Sequence, residues 1–142
     1  MPTITEFLLP VLALVSWTLV MWVALYATRL PAMKRLGIDP QEAAHPGTYA
    51  HRMPERARSV ADNYNHLHEQ PTIFYALMFF IALTGGAAAG TLNLAWAYVG
   101  TRVVHSAVQS TINRVVVRFA IFGFGSLLLV CMTARELIRV LG

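Results

Sequence analysis

The sequence predicts an all-α integral membrane protein, a four-helix bundle, from three observations. The chain has 142 residues, of which 56% are hydrophobic and only 13% are charged, a balance too apolar for a soluble domain of this size. Four segments are long enough to cross a bilayer, which takes roughly 20 residues. Prolines, glycines and charges gather between these segments. We therefore predict one transmembrane domain over residues 1–142.

Charge and cysteine content exclude several classes of function. The net charge of +4 comes from basic residues spread around the apolar segments, with no dense patch, so we expect no nucleic-acid partner. The single cysteine, Cys131, has no second cysteine with which to form a disulfide or a metal site. His45 and His51 have no acidic or cysteine partner at metal-ligand spacing, so we predict no metal.

The first predicted span covers residues 7–28. No basic residue precedes it, which favours a retained span over a cleaved signal peptide. Residues 29–55 are rich in proline, glycine and charge, and this composition predicts a long polar loop.

The second predicted helix, residues 56–83, changes from polar to apolar at Pro71. Its apolar part is shorter than a bilayer span, so the polar turns before it must lie in the membrane or at its edge. Spacings of three and four place a polar strip on one helix face: Arg58, Asp62, Asn65 or His66, and Glu69. Ionisable side chains at that depth are costly unless they face protein, water or a ligand. Taken alone, the strip is equally consistent with a helix end that emerges into solvent.

The third and fourth predicted spans cover residues 92–112 and 115–134. Steps of four, three and four put four polar residues on one face of the third span: Tyr98, Arg102, His105 and Gln109. An arginine one turn from a histidine inside a span is a functional candidate. Arg114 and Arg118 stand at the start of the fourth span.

Basic residues are concentrated in the first and third connections and are absent from the second. The positive-inside rule therefore places residues 29–55 in the cytoplasm and both termini on the other side of a multi-pass protein, the inner membrane if the source is bacterial. Arg135 and Arg139 argue the other way. In this topology the polar residues of three helices meet at one end of the bundle, which predicts a binding site. Arg102 and Glu69 should then point into protein, paired either within the bundle or across a boundary between protomers.

The chain resembles the MAPEG family, the membrane-associated proteins in eicosanoid and glutathione metabolism, in a bacterial-type form. The resemblance extends over nearly the whole chain and rests on two segments: Glu69, Pro71, Phe74 and Tyr75; and Arg102, His105, Arg114 and Arg118. Arg102, His105 and Arg118 stand at the spacing of the family's glutathione-binding members. Three positions depart from those members, with His66 in place of asparagine and Gln109 and Phe122 in place of tyrosines.

The resemblance implies a homotrimer in contact with membrane lipid, with sites between protomers and glutathione as co-substrate. It implies Arg118 as the catalytic residue that stabilises the thiolate, and a binding set of eight residues: Arg58, Asn65, His66, Glu69, Arg102, His105, Gln109 and Arg114. The expected function is a glutathione-dependent transferase or peroxidase acting on lipophilic electrophiles. The alternative, favoured by the replaced asparagine and tyrosine positions, is a non-catalytic membrane protein that binds lipid or serves as an accessory subunit of a larger membrane complex.

Overall fold

The computed structural model describes residues 1–44 and 47–142, and this part of the chain is built from helices. The α-helices in chain order are α1 (Ile4–Leu36), α2 (Glu55–His66), α3 (Gln70–Leu83), α4 (Ala89–Ser110) and α5 (Val115–Leu141). Two short 3-10 helices, Pro40–Ala44 and Ala50–Arg52, lie between α1 and α2. The predicted all-α, four-helix architecture is confirmed, with the second of the four predicted helices divided into α2 and α3.

Helix α1 extends further than the sequence predicted. It begins with a capping box, in which the Thr3 side chain accepts from the Glu6 backbone N–H and the Glu6 carboxylate accepts from the Thr3 backbone N–H. It ends at Gly37, which adopts a left-handed φ of 60°. Residues 29–36 were wrongly predicted to belong to the loop: Ala32 and Met33 are buried against the connection that follows, and this apolar packing extends the helix despite the flanking charges.

The second predicted helix is interrupted by a turn over residues 67–69. Pro71 causes the break, because it has no backbone N–H and its ring clashes with the carbonyl four residues earlier in a continuous helix. Glu69 takes a non-helical φ of −92° and ψ of −94° directly before α3. The prediction of one uninterrupted helix was therefore wrong here, and Glu69 does not continue the helix face that carries Arg58 and Asp62.

Helices α1 and α5 are each long and apolar enough to cross a membrane. Only 28% and 22% of their most apolar windows are buried in the chain, so most of this surface is available for contact with lipid. Helix α4 has 22 residues but carries a polar face, and α3 has 14 residues, fewer than the roughly 20 of a full span.

The core between the helices is apolar, and it includes Phe74 and Tyr98, whose rings stack with centroids 4.6 Å apart. The described residues between α1 and α2 (37–44 and 47–54) and residues 111–114 lie at the same end of the bundle, here named the loop end. Residues 84–88 lie at the opposite end, beside the C-terminal turns of α5, because Arg139 contacts Thr84 there. We name this second end the terminal end.

Candidate functional site

Arg102 on α4 is the most deeply buried arginine, with 2% of its surface exposed. Its Cζ lies 5.5 Å from the centroid of the Tyr98 ring and 5.3 Å from that of the Phe122 ring. Within the described residues, Nε and Nη2 are buried without a hydrogen-bond partner, and the ion pairs there do not include Arg102. Cation–π contacts of about 2 kcal/mol or less offset only part of the desolvation cost. The site therefore retains a strong attraction for negative charge.

Gly125 on α5 provides the space for this guanidinium. A Cβ at Gly125 would lie 2.9 Å from Arg102 Nη2 and 3.0 Å from Thr101 Oγ1, closer than side-chain atoms pack without displacement. Gly125 thus leaves room for a charged group as well as for close helix packing.

Three basic side chains lie around His105, which is one helical turn from Arg102 on α4. His105 on α4 is buried, and its ring centroid lies 6.1 Å from that of His66 on α2. Arg102, Arg118 and His66 are all close enough to His105 to interact with it electrostatically. We name His66, Arg102, His105 and Arg118 the basic cluster. The structure thus brings together residues of α2, α4 and α5 that are distant in sequence.

Arg118 is half-buried in the first turn of α5 and is held by the connection before it. Its Nη1 donates to Asn113 Oδ1 at 2.6 Å, and Asn113 Nδ2 donates to Ser59 Oγ at 3.2 Å. Asn113 has a φ of 45°, in the left-handed region that asparagine adopts more readily than most residues. Arg118 Nε is buried with no hydrogen-bond partner in the described part of the chain. The contacts with Asn113 and Ser59 fix the orientation of this guanidinium.

The carboxylate predicted to enter the site lies at its rim. Glu69 Oε2 is 2.9 Å from His66 Nδ1, and the Glu69 side chain is 61% exposed. The expectation that Glu69 points into protein is not met within this chain, because the turn at 67–69 carries it away from Arg102. The cluster therefore contains two arginines and two histidines, with a single carboxylate at its edge.

The other predicted binding residues separate into buried and exposed groups. Gln109 is buried beneath the cluster, whereas Arg58, Asn65 and Arg114 are exposed. Arg58 and Asn65 line a separate groove of about 690 Å³ between α2 and the connection that follows α1. His45 lies outside the described residues, and the described residues contain no group of side chains able to hold a metal ion.

The buried polar residues that sequence reasoning did not single out include Asn63 on α2 and Ser106 on α4. The polar strip predicted on this helix, which includes Arg58, Asp62 and Asn65, lies on the opposite, exposed face of α2. A usable signal was present, because Val60 and Leu67 precede and follow Asn63 by three and four residues and so place it on the apolar face.

A helical bundle with apolar outer helices and a buried basic cluster at one end defines a membrane protein with an internal polar site. The family model for MAPEG matches residues 7–138, and the chain belongs to the MAPEG family, as the resemblance implied. No match was found among curated proteins or among solved structures. The family is a family of membrane proteins that includes glutathione transferases and peroxidases as well as non-catalytic members. Its members commonly use glutathione and are often trimers.

Proposed function

We propose that the protein binds glutathione and transfers it to lipophilic electrophiles, or uses it to reduce lipid hydroperoxides. The observation that carries this proposal is the basic cluster, which holds two arginines near the loop end with one carboxylate, Glu69, at its rim. Glutathione has two carboxylates, one ammonium group and a thiol, and it becomes more anionic when the thiol ionises. An anion of this kind matches the charge of the cluster.

Arg118 is the proposed catalytic residue. A free thiol has a pKa of about 8.5, and a nearby guanidinium in a water-poor site lowers the pKa of a bound thiol by stabilising its thiolate. Arg118 and His66 are half-buried and can contact a ligand, whereas Arg102 and His105 lie behind them. Arg102 therefore contributes positive potential to the site.

Two reactions follow from a stabilised thiolate. With a carbon electrophile, the sulfur forms a C–S bond and the leaving group departs with its electron pair. With a hydroperoxide, the sulfur attacks oxygen, giving an alcohol and a sulfenic acid that a second glutathione converts to a disulfide and water. The apolar outer surfaces of α1 and α5 support entry of either substrate from the lipid.

We also propose that three copies form the active assembly, that four spans cross the membrane, and that the loop end faces the cytoplasm. The proposed trimer is supported by the exposed position of Glu69, Arg58 and Asn65 on the surface of one chain, where a neighbouring protomer can supply their partners. Soluble glutathione would then reach the site from the aqueous side of the loop end.

A second candidate function is binding without catalysis, of an anionic lipid or of a larger membrane complex in which this chain is an accessory subunit. It is favoured by Phe122, whose ring packs on the Arg102 guanidinium and supplies no hydroxyl to a ligand. A lipid phosphate would also match the charge of the basic cluster.

The two candidates are separated by experiments on purified protein in lipid nanodiscs. Calorimetry measures glutathione binding, and a chromogenic chloronitroarene measures glutathione-dependent conjugation. S-methylglutathione is the matched control, because it retains the charged ends and has no ionisable thiol. We expect binding of glutathione and conjugation above the uncatalysed rate. Absence of both would overturn the glutathione proposal, and a stoichiometric anionic lipid or partner protein would then support the second candidate.

A further inference from the structure

Helices α2 and α4 run antiparallel and meet along polar side chains. Tyr98 hydroxyl donates to Gln70 Oε1 at 3.3 Å, and the His66 and His105 rings lie 6.1 Å apart. At the loop end, Asn113 bonds Ser59 at 3.2 Å.

These contacts fix the register of α2–α3 against α4 at both ends. Between them, the same register places Asn63 opposite the turn from Ser106 to Gln109. We name Asn63, Ser106 and Gln109 the α2–α4 seam.

The seam is fully enclosed within one chain. Asn63 and Ser106 are 0% exposed and Gln109 is 1% exposed. In the described part of the chain, Asn63 Oδ1 and Nδ2, Ser106 Oγ and Gln109 Oε1 are buried without a hydrogen-bond partner. Buried polar atoms in native proteins are almost always hydrogen-bonded to protein or to ordered water. Their clustering at one level of the bundle indicates a shared partner.

The chemistry of these atoms identifies that partner. A neighbouring subunit, a lipid or glutathione cannot reach side chains that are enclosed by their own chain. A metal cation is disfavoured, because Arg102 lies one helical turn from Ser106. Water both donates and accepts, as do the amide and hydroxyl groups of the seam.

We propose that ordered water occupies the α2–α4 seam and connects the basic cluster with the loop end. A cavity of about 530 Å³ lies next to the seam at the loop end and is lined by Ser59, Ser110 and Asn113, among others. Ser110 directly follows Gln109 of the seam. Ser110 Oγ is a further buried hydroxyl with no partner among the described residues. A row of water and hydroxyl groups along this path gives protons a route between the buried cluster and the aqueous surface inside each protomer.

The first test is a high-resolution density map of the wild-type protein in nanodiscs. We expect a solvent peak within about 2.7–3.2 Å of at least two of the three seam side chains. Direct hydrogen bonds between Asn63 and Ser106 or Gln109, with no solvent density between them, would overturn the proposal.

The second test measures thermal unfolding of three variants. In a hydrated seam, Asn63→Leu deprives the water of two bonds, so the apparent Tm should fall by roughly 4 °C. The combined variant Asn63→Leu/Ser106→Ala/Gln109→Leu should recover at least half of that loss, because no polar group then requires the water. Asp62→Leu, at an exposed position on the same helix, is the control and should leave the Tm within about 1 °C.

Two results contradict a hydrated seam. A raised or unchanged Tm for Asn63→Leu would show that the wild-type side chain has no partner to lose. A lowered Tm that the combined variant does not recover would show that leucine merely fits poorly.

Discussion

Two arginines at opposite ends of the bundle each lie against a glycine, but they differ in their partners. At the terminal end, Arg139 donates to Glu136 at 2.9 Å and to the Thr84 hydroxyl at 2.6 Å. Near the loop end, Arg102 has Nε and Nη2 without a partner among the described residues. The glycines act alike: an added Cβ would lie 2.8 Å from Arg139 Nε at Gly86 and 2.9 Å from Arg102 Nη2 at Gly125.

The two arginines differ in burial as well as in pairing: Arg102 is 2% exposed and has no ion-pair partner in the described part of the chain, whereas the Arg139 side chain is 36% exposed and paired. In the proposed function, the lack of a partner is what leaves Arg102 free to act on a ligand. The Arg139 pair joins α5 to the connection at residues 84–88, and its charge is balanced inside the chain. The charge of Arg102 is buried and has no ion-pair partner among the described residues. In the proposed function, this charge lowers the stability of the ligand-free protein and stabilises a bound anion.

Removing Arg139 should give the largest loss of stability. Arg139→Met leaves the buried carboxylate of Glu136 unpaired, and breaking a fully buried pair costs about 3–5 kcal/mol, an upper bound because the Arg139 side chain is 36% exposed. Thermal unfolding measures the loss, and glutathione affinity measured below the unfolding transition should not change. Arg135→Met, at an exposed neighbour in the same helix, is the control. A change in ligand affinity would show that the terminal end belongs to the site.

Replacing the glycine beside each arginine with alanine should distinguish a loss of stability from a loss of ligand affinity. Gly125→Ala forces Arg102 to move and should cost about 1–3 kcal/mol of stability together with ligand affinity. Gly86→Ala should cost stability alone. Gly123→Ala is the matched control, because its Cβ would meet nothing within 4 Å and alanine favours the helix. Equal affinity in the Gly125 and Gly123 variants would contradict the role given to Arg102.

The two arginines at the start of α5 should differ in their effect on the ligand. Arg118 is half-buried in the basic cluster and Arg114 is exposed, so water screens Arg114 more strongly. We expect Arg118→Ala to reduce thiolate formation or ligand affinity at least tenfold, roughly 1.4 kcal/mol, with assembly intact. Arg114→Ala should have a much smaller effect. Ultraviolet difference spectra of bound thiolate measure the effect of each substitution. Equal losses in the two variants would show that the burial of Arg118 does not explain its effect on the ligand.

A smaller effect is expected from the residue that orients Arg118. Asn113→Gly removes the 2.6 Å bond to Arg118 while glycine still tolerates the left-handed backbone. One hydrogen bond of about 0.5–1.5 kcal/mol predicts a threefold to tenfold loss of thiolate formation. Asn113→Asp keeps an acceptor oxygen at this position but places a negative charge beside Arg118, so it should reduce thiolate formation more than Asn113→Gly does. An aspartate variant with wild-type thiolate formation would show that the positive charge of Arg118 does not act on the thiol.

Hydropathy was sufficient to predict the helices, because burying apolar surface against neighbouring helices and lipid dominates this chain. Hydropathy did not predict where the first helix ends or where the second is interrupted. The helix over residues 29–36 depends on packing of Ala32 and Met33 against a distant part of the connection, which local composition does not encode. The turn at 67–69 could have been anticipated from Pro71, since proline disfavours a helix through the preceding turn.

The residues of the candidate site that share one helix could be predicted from helical spacing. Those that meet only through tertiary contacts could not. The spacing of Arg102 and His105 on α4 places them on one face, and the structure brings Arg118 close to His105. Asn113 and Ser59 meet only because α2 packs beside the α4–α5 connection. The pattern of residues within a single helix does not predict a contact of this kind between distant segments.

The most direct test of the comparison is the unfolding temperature of ligand-free Arg102→Met beside that of Arg139→Met. Methionine fills the space between the Tyr98 and Phe122 rings and makes favourable sulfur–aromatic contacts. An unpaired buried charge predicts that Arg102→Met unfolds at or above the wild-type temperature while losing glutathione affinity, whereas Arg139→Met unfolds below it. If Arg102→Met instead unfolds as early as Arg139→Met, Arg102 is a structural arginine like its counterpart and the account of the basic cluster is wrong.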